Sequence, residues 1–505
     1  MIDLKLKTIM RLKKILENIK TKNLLSYNLK PVNITKNELK NKEKFYNDKI
    51  NEILNYKNSL PKIHFEDIKE KVVLKDFEIK YSLDSLGPII FDKDNNIYRA
   101  IYPEKLNYFK TLYESGLLQT LAHFRLIPNF EISKYSIDNY PILIKIEKIT
   151  CYPTCYYSFE AKKDLALVTL LVNTIANAFG YCLIDGHQAN ATLYKGKPMF
   201  FDLGSFVSGT LNRGLLEFLN KNVMPLVSMQ YIDNPSALNE GHYSKLSKQG
   251  ELLLDNFLKF HKKSSSKTYN KILENVFVKK RIKLAYIDLL LNNVQSNTQW
   301  GNYAPNEKSI QDLRFKRIFE LVNEYSSDSV SAIDIAGNSG YFLRYLENNN
   351  LGKFSKLINA DYDSNAIDKC YLYQKINNSK SIIDSLLINF LREYLSCLKC
   401  DIVFALALTH HLILTQKVDI RYVFNKIKSA SNKYVYVEFC PLGMYSSENS
   451  NELPPVPAWY TEEWFEKHFK MFFELLHKET IQSVTIDDKT YPHRVLFIGK
   501  IRESN

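Results

Sequence analysis

Long apolar runs are missing from this sequence, and none reaches the length that a membrane-crossing helix needs. Cysteine is scarce: seven in 505 residues, an odd number that suits a reducing compartment better than a disulfide framework. The opening stretch, MIDLKLKTIMRLKKILENIK, spreads lysines where a signal peptide would need an unbroken apolar core, so a secretory signal is not expected. Cytoplasm is the expected compartment. Zinc-finger spacings and RNP-type aromatic motifs are lacking, so nucleic-acid binding is not expected. The near pairs Cys151/Cys155 and Cys397/Cys400 have no matching second pair at zinc spacing, and no metal centre is expected.

What is present reads as a globular protein, 45% hydrophobic and 24% charged. A chain of 505 residues is too long for one ordinary core, so two or three domains are expected. The net charge of +13 is uneven. Residues 1–80 hold 19 Lys and Arg against 11 Asp and Glu. Such a basic arm suits an anionic partner or a peripheral membrane contact, or is simply a solvated helical face. Its apolar positions Ile9, Leu12, Leu16 and Ile19 recur at helical spacing.

From about Tyr81 the pattern changes. GPIIFDKDNNIYRAIY reads as two strands around an Asp-Asn-Asn turn, YPILIKIEKI as another, and Lys163 to Gly180 as a long apolar helix. In GYCLIDGHQANATLYKGKPMFFDLGSF two short β runs flank a Lys-Gly-Lys turn. Asp185 lies five residues before Asn190, and Asp202 ends the next apolar run. This spacing resembles the catalytic loop and metal-binding aspartate of protein-kinase-like folds, where hard oxygen ligands hold magnesium beside a carboxylate that orients the nucleophile. No glycine-rich phosphate loop precedes it and no Val-Ala-Ile-Lys matches, although Lys145 or Arg99 can supply a cation. Mg2+ and ATP are therefore expected only if this region is an active phosphotransferase rather than an inactive scaffold.

The last third alternates β and α patterns: SAIDI, YFLRYLE, KLINADYD, CDIVFALAL, DIRYVFNKIKSA, KYVYVEF and HRVLFIGKI. That alternation predicts a parallel-rich doubly wound sheet, with a hairpin near Val484 and Val495 as an antiparallel edge. The fold class is thus α/β: a C-terminal Rossmann-like sheet, a kinase-like α+β domain before it, and a helical N-terminal arm. The expected boundaries are 1–80 for the arm, 81–265 for the kinase-like domain, 266–310 for a helical linker or cap, and 311–505 for the sheet.

In SAIDIAGNSGYF an apolar run ends in Asp334, and a turn containing Ala336, Gly337, Asn338 and Gly340 opens a helix. The second strand ends in Asp361, at a separation where an acidic side chain can accept from a ribose diol. Dinucleotides and S-adenosylmethionine both fit this pair. Asp334 tilts it to the latter, because a carboxylate suits an ammonium and repels a pyrophosphate, and the full Gly-x-Gly-x-x-Gly is absent. Asp384, in SIIDSLL, is a candidate for the adenine amino group, or else a surface aspartate at a loop. His410 and His411 follow a strand end, and one of the two is a candidate base or acceptor-positioning group; Glu438 is a second candidate base.

Taken together, the blocks CYPTCYYSFEAKKDLALVTL, LIDGHQANATLYKGKPMFFDLGSF, AIDIAGNSGYF, DIVFALALTHHL, VEFCPLGM and HRVLFIG resemble a bacterial family of class I S-adenosylmethionine-dependent methyltransferases. That family includes nodulation-type proteins and carries a kinase-like region before the methyltransferase fold. The resemblance spans about residues 81 to 500. The family's first turn is usually Asp-Leu-Gly-Ala-Asn-Thr-Gly; here Ala336 and Gly337 exchange two positions, while Asp334, Asn338 and Gly340 match. The block from Tyr152 to Phe159 has Thr-Cys-Tyr where the family has an acidic-aromatic pair. Trp300 and Tyr303 resemble an aromatic pair that caps the cofactor pocket. The resemblance implies methyl transfer to an O- or N-nucleophile, on a small metabolite or a glycan. The alternatives are a bifunctional kinase-methyltransferase acting on a surface polysaccharide, and a non-catalytic scaffold. The acceptor and the oligomeric state are not encoded in any motif.

Overall fold

The structure is a computed structural model that describes residues 35–65, 72–80, 85–209, 214–223, 225–226, 283–291, 298, 300–301, 313–327, 329–349, 351–377, 380–445 and 453–502. The expected helical register of Ile9 to Ile19, the loop at 264–270 and Tyr303 lie outside these residues. Two compact units emerge. The first comprises Met1–Thr154, Phe159–Leu193 and Pro198–Val294; the second comprises Cys155–Ser158, Tyr194–Lys197 and Gln295–Asn505. No helix among the described residues is long and apolar enough to cross a membrane.

The first unit opens with helix α1 (Lys36–Ser59), whose start is fixed by a capping box: the Glu38 amide donates to Thr35 Oγ1, and the Thr35 amide to Glu38 Oε2. Strands β1 (Phe77–Lys80), β2 (Ile89–Asp92) and β3 (Ile97–Ala100) follow, then helices α2 (Leu106–Glu114) and α3 (Leu117–His123), and strands β4 (Phe130–Ile132) and β5 (Leu143–Ile146). The five strands form an antiparallel sheet in the order β1-β2-β3-β5-β4. The Asp-Asn-Asn turn expected between β2 and β3 is there, with Asn95 at φ 58° and Asp92 accepting from the Asp94 and Asn96 amides. Helix α4 (Phe159–Ala178) is buried nearly all round. After it come β6 (Tyr181–Leu183), the hairpin β7 (Ala191–Tyr194) and β8 (Lys197–Phe200), and β9 (Phe206–Ser208), which pairs antiparallel with β6. Helix α5 (Leu284–Leu290) returns to α1 and α4 through Asp288, which accepts from Lys42, Lys163 and Tyr46. Burial opposes the charge on Asp288, but the two ammonium groups outweigh it and hold the carboxyl at about 2.

The second unit is a seven-stranded sheet: β10 (Val330–Ile335), β11 (Phe354–Asp361), β12 (Ile383–Leu387), β13 (Cys400–Ala405), β14 (Ser431–Phe439), β15 (Phe473–Ile486) and β16 (Lys489–Ile501). Its order is β12-β11-β10-β13-β14-β16-β15, parallel through β14, with β16 antiparallel to both neighbours. Helices cover both faces, which is why the inner strands read as unbroken apolar runs rather than alternating ones. On one face α6 (Leu313–Tyr325) and α7 (Tyr341–Asn349) bring Phe315, Ile318 and Phe342 onto Phe404 and Tyr436, with the Phe342 and Phe404 rings 4.9 Å apart. Elsewhere α9 (Ile420–Ser429) and α10 (Glu462–Phe472) close a second aromatic cluster of Phe424, Phe465, Phe469 and Phe497; α8 (Ser364–Asn377) lies between β11 and β12 in sequence. The antiparallel hairpin expected near Val484 and Val495 is β15–β16, turning at Asp487 and Asp488, both left-handed; its pairing slips at three places along β15.

Because β11 and β12 lie to one side of the first strand, β10, and β13 to the other, the strand order reverses between β10 and β13. Open sheets of this kind leave a crevice there, outside the carboxyl ends of the strands.

Candidate functional site

Strand β10 delivers Asp334, 3% exposed, to that crevice. The chain then turns with Ala336 at φ 60°, Asn338 at 49° and Gly340 at 75°, so two side-chain-bearing residues adopt the left-handed conformation that glycine takes freely. The amides of Ala336 and Gly337 both point at the Ala360 carbonyl. Gly337 itself admits no side chain: a Cβ there would lie under 3.0 Å from Asn359 Oδ1 and Asp334 Oδ2. Asn338 is fastened on three sides. Its amide donates to Asp361 Oδ2 at 2.9 Å, its side chain to the Trp300 carbonyl at 2.9 Å, and its own carbonyl accepts from Asn359 Nδ2 at 2.8 Å.

Asp361 ends β11 on the same side of the crevice, its other oxygen accepting from the Asp363 amide. Burial pushes its carboxyl up to about 6, although the Asp363 and Asn338 amides pull the other way. Burial, with Asp361 and Glu438 adding like charge, raises the Asp334 carboxyl well above the carboxylate range; Arg314 offsets only part of this. Asp363 caps α8 and accepts from Thr298 Oγ1 at 2.7 Å, which fixes the segment that carries Trp300. The Trp300 indole in turn meets the His411 ring edge-on at 5.0 Å. Expected as a cap, Trp300 does lie against this turn; its expected partner Tyr303 is outside the described residues.

Across the crevice, the chain leaving β13 bends at Ala407 (φ 50°) and presents His410 and His411, rings 4.1 Å apart. His410 is buried, and its Nδ1 has no hydrogen-bond partner. Burial first, then His411, Arg494 and His493, hold its pKa well below the ordinary histidine value, so it is neutral at pH 7. His411 is lowered too, by burial and Arg494. Glu438, fully buried on β14, accepts from the Ala407 amide at 2.7 Å and from Arg494 at 3.3 Å, while Arg314 stands 3.5 Å from its other oxygen. So engaged, Glu438 anchors the bend that carries the histidines and is poorly placed to act as a base.

Asp384 departs from expectation. Register pairs it with Ile358, whereas Asp361 pairs with Leu387 at the carboxyl end. Asp384 therefore sits near the amino end of β12, where its carboxylate accepts from the Gly196 amide at 2.8 Å within the same unit. It cannot meet an adenine in the crevice; the backbone at Ile388 and Asn389 occupies that end. Sequence reasoning missed Asn359, a polar residue midway along an apolar strand, fully buried beneath the turn with Oδ1 unpartnered. It also missed Arg314 and Arg494, which lie far from Glu438 in sequence. A polar residue inside a strand otherwise buried on both faces was the available signal for Asn359.

In the first unit, Asn190 bridges the backbone of Asp185 and the side chain of Asp202. Its Nδ2 donates to the Asp185 carbonyl at 3.3 Å and to Asp202 Oδ2 at 3.2 Å. Asp202 also accepts from the Gly204 amide at 3.0 Å and from Ser205 Oγ at 2.8 Å. Arg99 is buried on β3 and donates to the Gly87 carbonyl at 3.2 Å, whereas Lys145 lies on β5.

No family model and no curated protein matches this chain. Among solved structures it is similar to the M. jannaschii tRNA m1G37 methyltransferase, at 14% identity over 38% of this chain and 50% of that one, with a TM-score of 0.27. The chain thus spans about half the length of that protein. It is also similar to a SAM-dependent methyltransferase from Aquifex aeolicus (11% identity, 40% of this chain, 97% of that one, TM-score 0.29). A third similar structure is an S-adenosylmethionine-dependent methyltransferase from Clostridium acetobutylicum (12% identity, 46% and 98%, TM-score 0.29).

Proposed function

We propose that the second unit is an S-adenosylmethionine-dependent methyltransferase acting on an O- or N-nucleophile of a small metabolite or glycan. The observation that carries this is the turn after β10, pinned by Asp361 and backed by Asp334 at the point where the strand order reverses. The residues fit the cofactor: a turn packed so closely at Gly337 that no side chain is admitted, and the buried acceptors Asp334 and Asn359 beneath it. When bound, S-adenosylmethionine supplies a methyl group on a sulfonium, so transfer needs positioning more than activation. Asp361 would accept from the ribose hydroxyls, and Asp334 from the methionine ammonium. The edge of Trp300 against His411 shields the entrance from water.

His410 is the base in this reading, since a neutral imidazole whose buried Nδ1 has no hydrogen-bond partner has an acceptor site left for the nucleophile's proton. Activity then falls only at a pH well under the ordinary histidine value, because His410 must be neutral to act. Calorimetric titration with S-adenosylmethionine tests the whole reading, and an absence of binding overturns it.

A second reading, phosphotransfer by the first unit, draws on two observations. Its sheet runs β1-β2-β3-β5-β4 with helices between β3 and β4, a small-lobe-like order, and Asn190 sits beside Asp202, where hard oxygen ligands would face Mg2+ and ATP. ATP turnover with magnesium, and its loss in Asp202→Ala, tests this.

A further inference from the structure

Two oxygens beneath the turn have an electrostatic problem in common. Asn359 Oδ1 is fully buried and accepts from nothing, because the side chain is oriented by its Nδ2 donating to Asn338. Asp334 Oδ2 borders the same point: both oxygens lie under 3.0 Å from the position a Gly337 Cβ would take, which puts them within about 5 Å of each other. Two acceptors facing one buried point repel unless a donor lies between them.

The charges facing Asp334 do not remove the difficulty. Asp361 on β11 and Glu438 on β14 add negative charge. Arg314 on α6 offsets only part of this and, like Arg494 on β16, pairs with Glu438, while Arg344 on α7 donates to the Gly340 carbonyl and stacks on Tyr341 and Tyr373. Beyond β13, burial holds His410 and His411 below the ordinary histidine value, so neither supplies a positive charge at pH 7.

We propose that Asp334 carries a proton donated to Asn359 Oδ1 when the site is empty, and that a ligand bringing a primary ammonium to this point displaces that proton to solvent. The O–H bond of Asp334 breaks, its proton passes to buffer, and the carboxylate and Asn359 Oδ1 then both accept from the ammonium. Asn359 is thus a positioning residue that selects for an N–H donor, and binding is coupled to the release of one proton. This rests on the cofactor reading above.

The test uses the full chain and two probes, S-adenosylhomocysteine, which keeps the amino-acid ammonium, and 5′-methylthioadenosine, which lacks it. Calorimetry in buffers of different ionisation enthalpy counts the protons released. The expected result is release approaching one proton with S-adenosylhomocysteine and none with methylthioadenosine. Affinity for the former should rise roughly tenfold per pH unit until Asp334 is ionised in the free protein, then level off. Asp334→Asn should abolish the pH dependence. Asn359→Asp, which keeps an oxygen but adds charge, should move the levelling-off to higher pH; a merely structural role would weaken binding equally at every pH. Binding of both probes with no proton release and flat pH profiles would mean that water fills the gap, and would overturn the inference while leaving the cofactor reading intact. Failure of both probes and of S-adenosylmethionine to bind would overturn both.

Discussion

The two candidate sites handle their carboxylates in opposite ways. In the first unit Asp202 is surrounded by donors: Asn190, the Gly204 amide and the Ser205 hydroxyl. In the second, Asp334 and Asp361 lie within a few per cent of complete burial, near each other and Glu438, and although Asp361 accepts from the Asn338 and Asp363 amides, desolvation favours the protonated form of both. A site rich in donors is settled as it stands. A buried cluster of acceptors is held ready for something cationic or proton-donating, and costs the empty protein stability.

Asp361→Ala should produce the largest effect. It removes a charged acceptor from the turn amide and from the proposed ribose contact, and S-adenosylmethionine affinity should fall about 100-fold by calorimetry, on the order of 2–3 kcal/mol. If affinity is unchanged, the second site is not the cofactor site. Asp202→Ala should leave that affinity alone. It strands the donors of Asn190, Gly204 and Ser205, so the first unit should lose about 1–3 kcal/mol in denaturant unfolding. A neutral result would mean that Asp202 is less well supported than its geometry indicates.

Acidity separates the two further. The Asp361 pKa is raised on folding from 3.8 to about 6, so its contribution is fully present below about pH 4 and is lost as pH rises through 6. Asp361→Asn should therefore match wild type in acid and exceed it above pH 6, by about 1–3 kcal/mol in the ligand-free protein. Superimposable stability profiles across that window would contradict the burial argument. The smallest change is Ala336→Gly. Relief of a left-handed alanine, about 1–2 kcal/mol, is largely offset by the added freedom of glycine in the unfolded chain, and a gain of roughly 0.5 kcal/mol in thermal unfolding is expected.

Strand ends were legible because an apolar run that stops at a charge marks both an element boundary and a sheet edge. Asp334 and Asp361 do lie at strand ends and His410–His411 just beyond one, and the alternation of runs matches the doubly wound sheet and its terminal hairpin. What failed was register. SIIDSLL offers Asp384 either to an adenine or as a surface aspartate at a loop, yet the segment is β12, and only its pairing with β11 shows that Asp384 sits near the amino end. Glu438 looked like a base because its arginines lie 124 residues before and 56 residues after it, and no local pattern announces such a partner. The donor-rich loop of the first unit was the reverse case: Asp185, Asn190 and Asp202 lie within eighteen residues, so local spacing was sufficient to group them.

The slips along β15 have a consequence for the molecule in crowded surroundings. This strand is the outermost of its sheet, fourteen residues long, and its unused backbone groups face outward. A straight strand of that length is a template for pairing with another chain. Irregularities at Leu475/His477, Thr480/Gln482 and Gln482/Ser483 interrupt the repeat, and Glu474, Lys478 and Glu479 put charge along the border. Edge-to-edge growth into fibrils is thereby discouraged, and straightening those kinks is the change that would invite it.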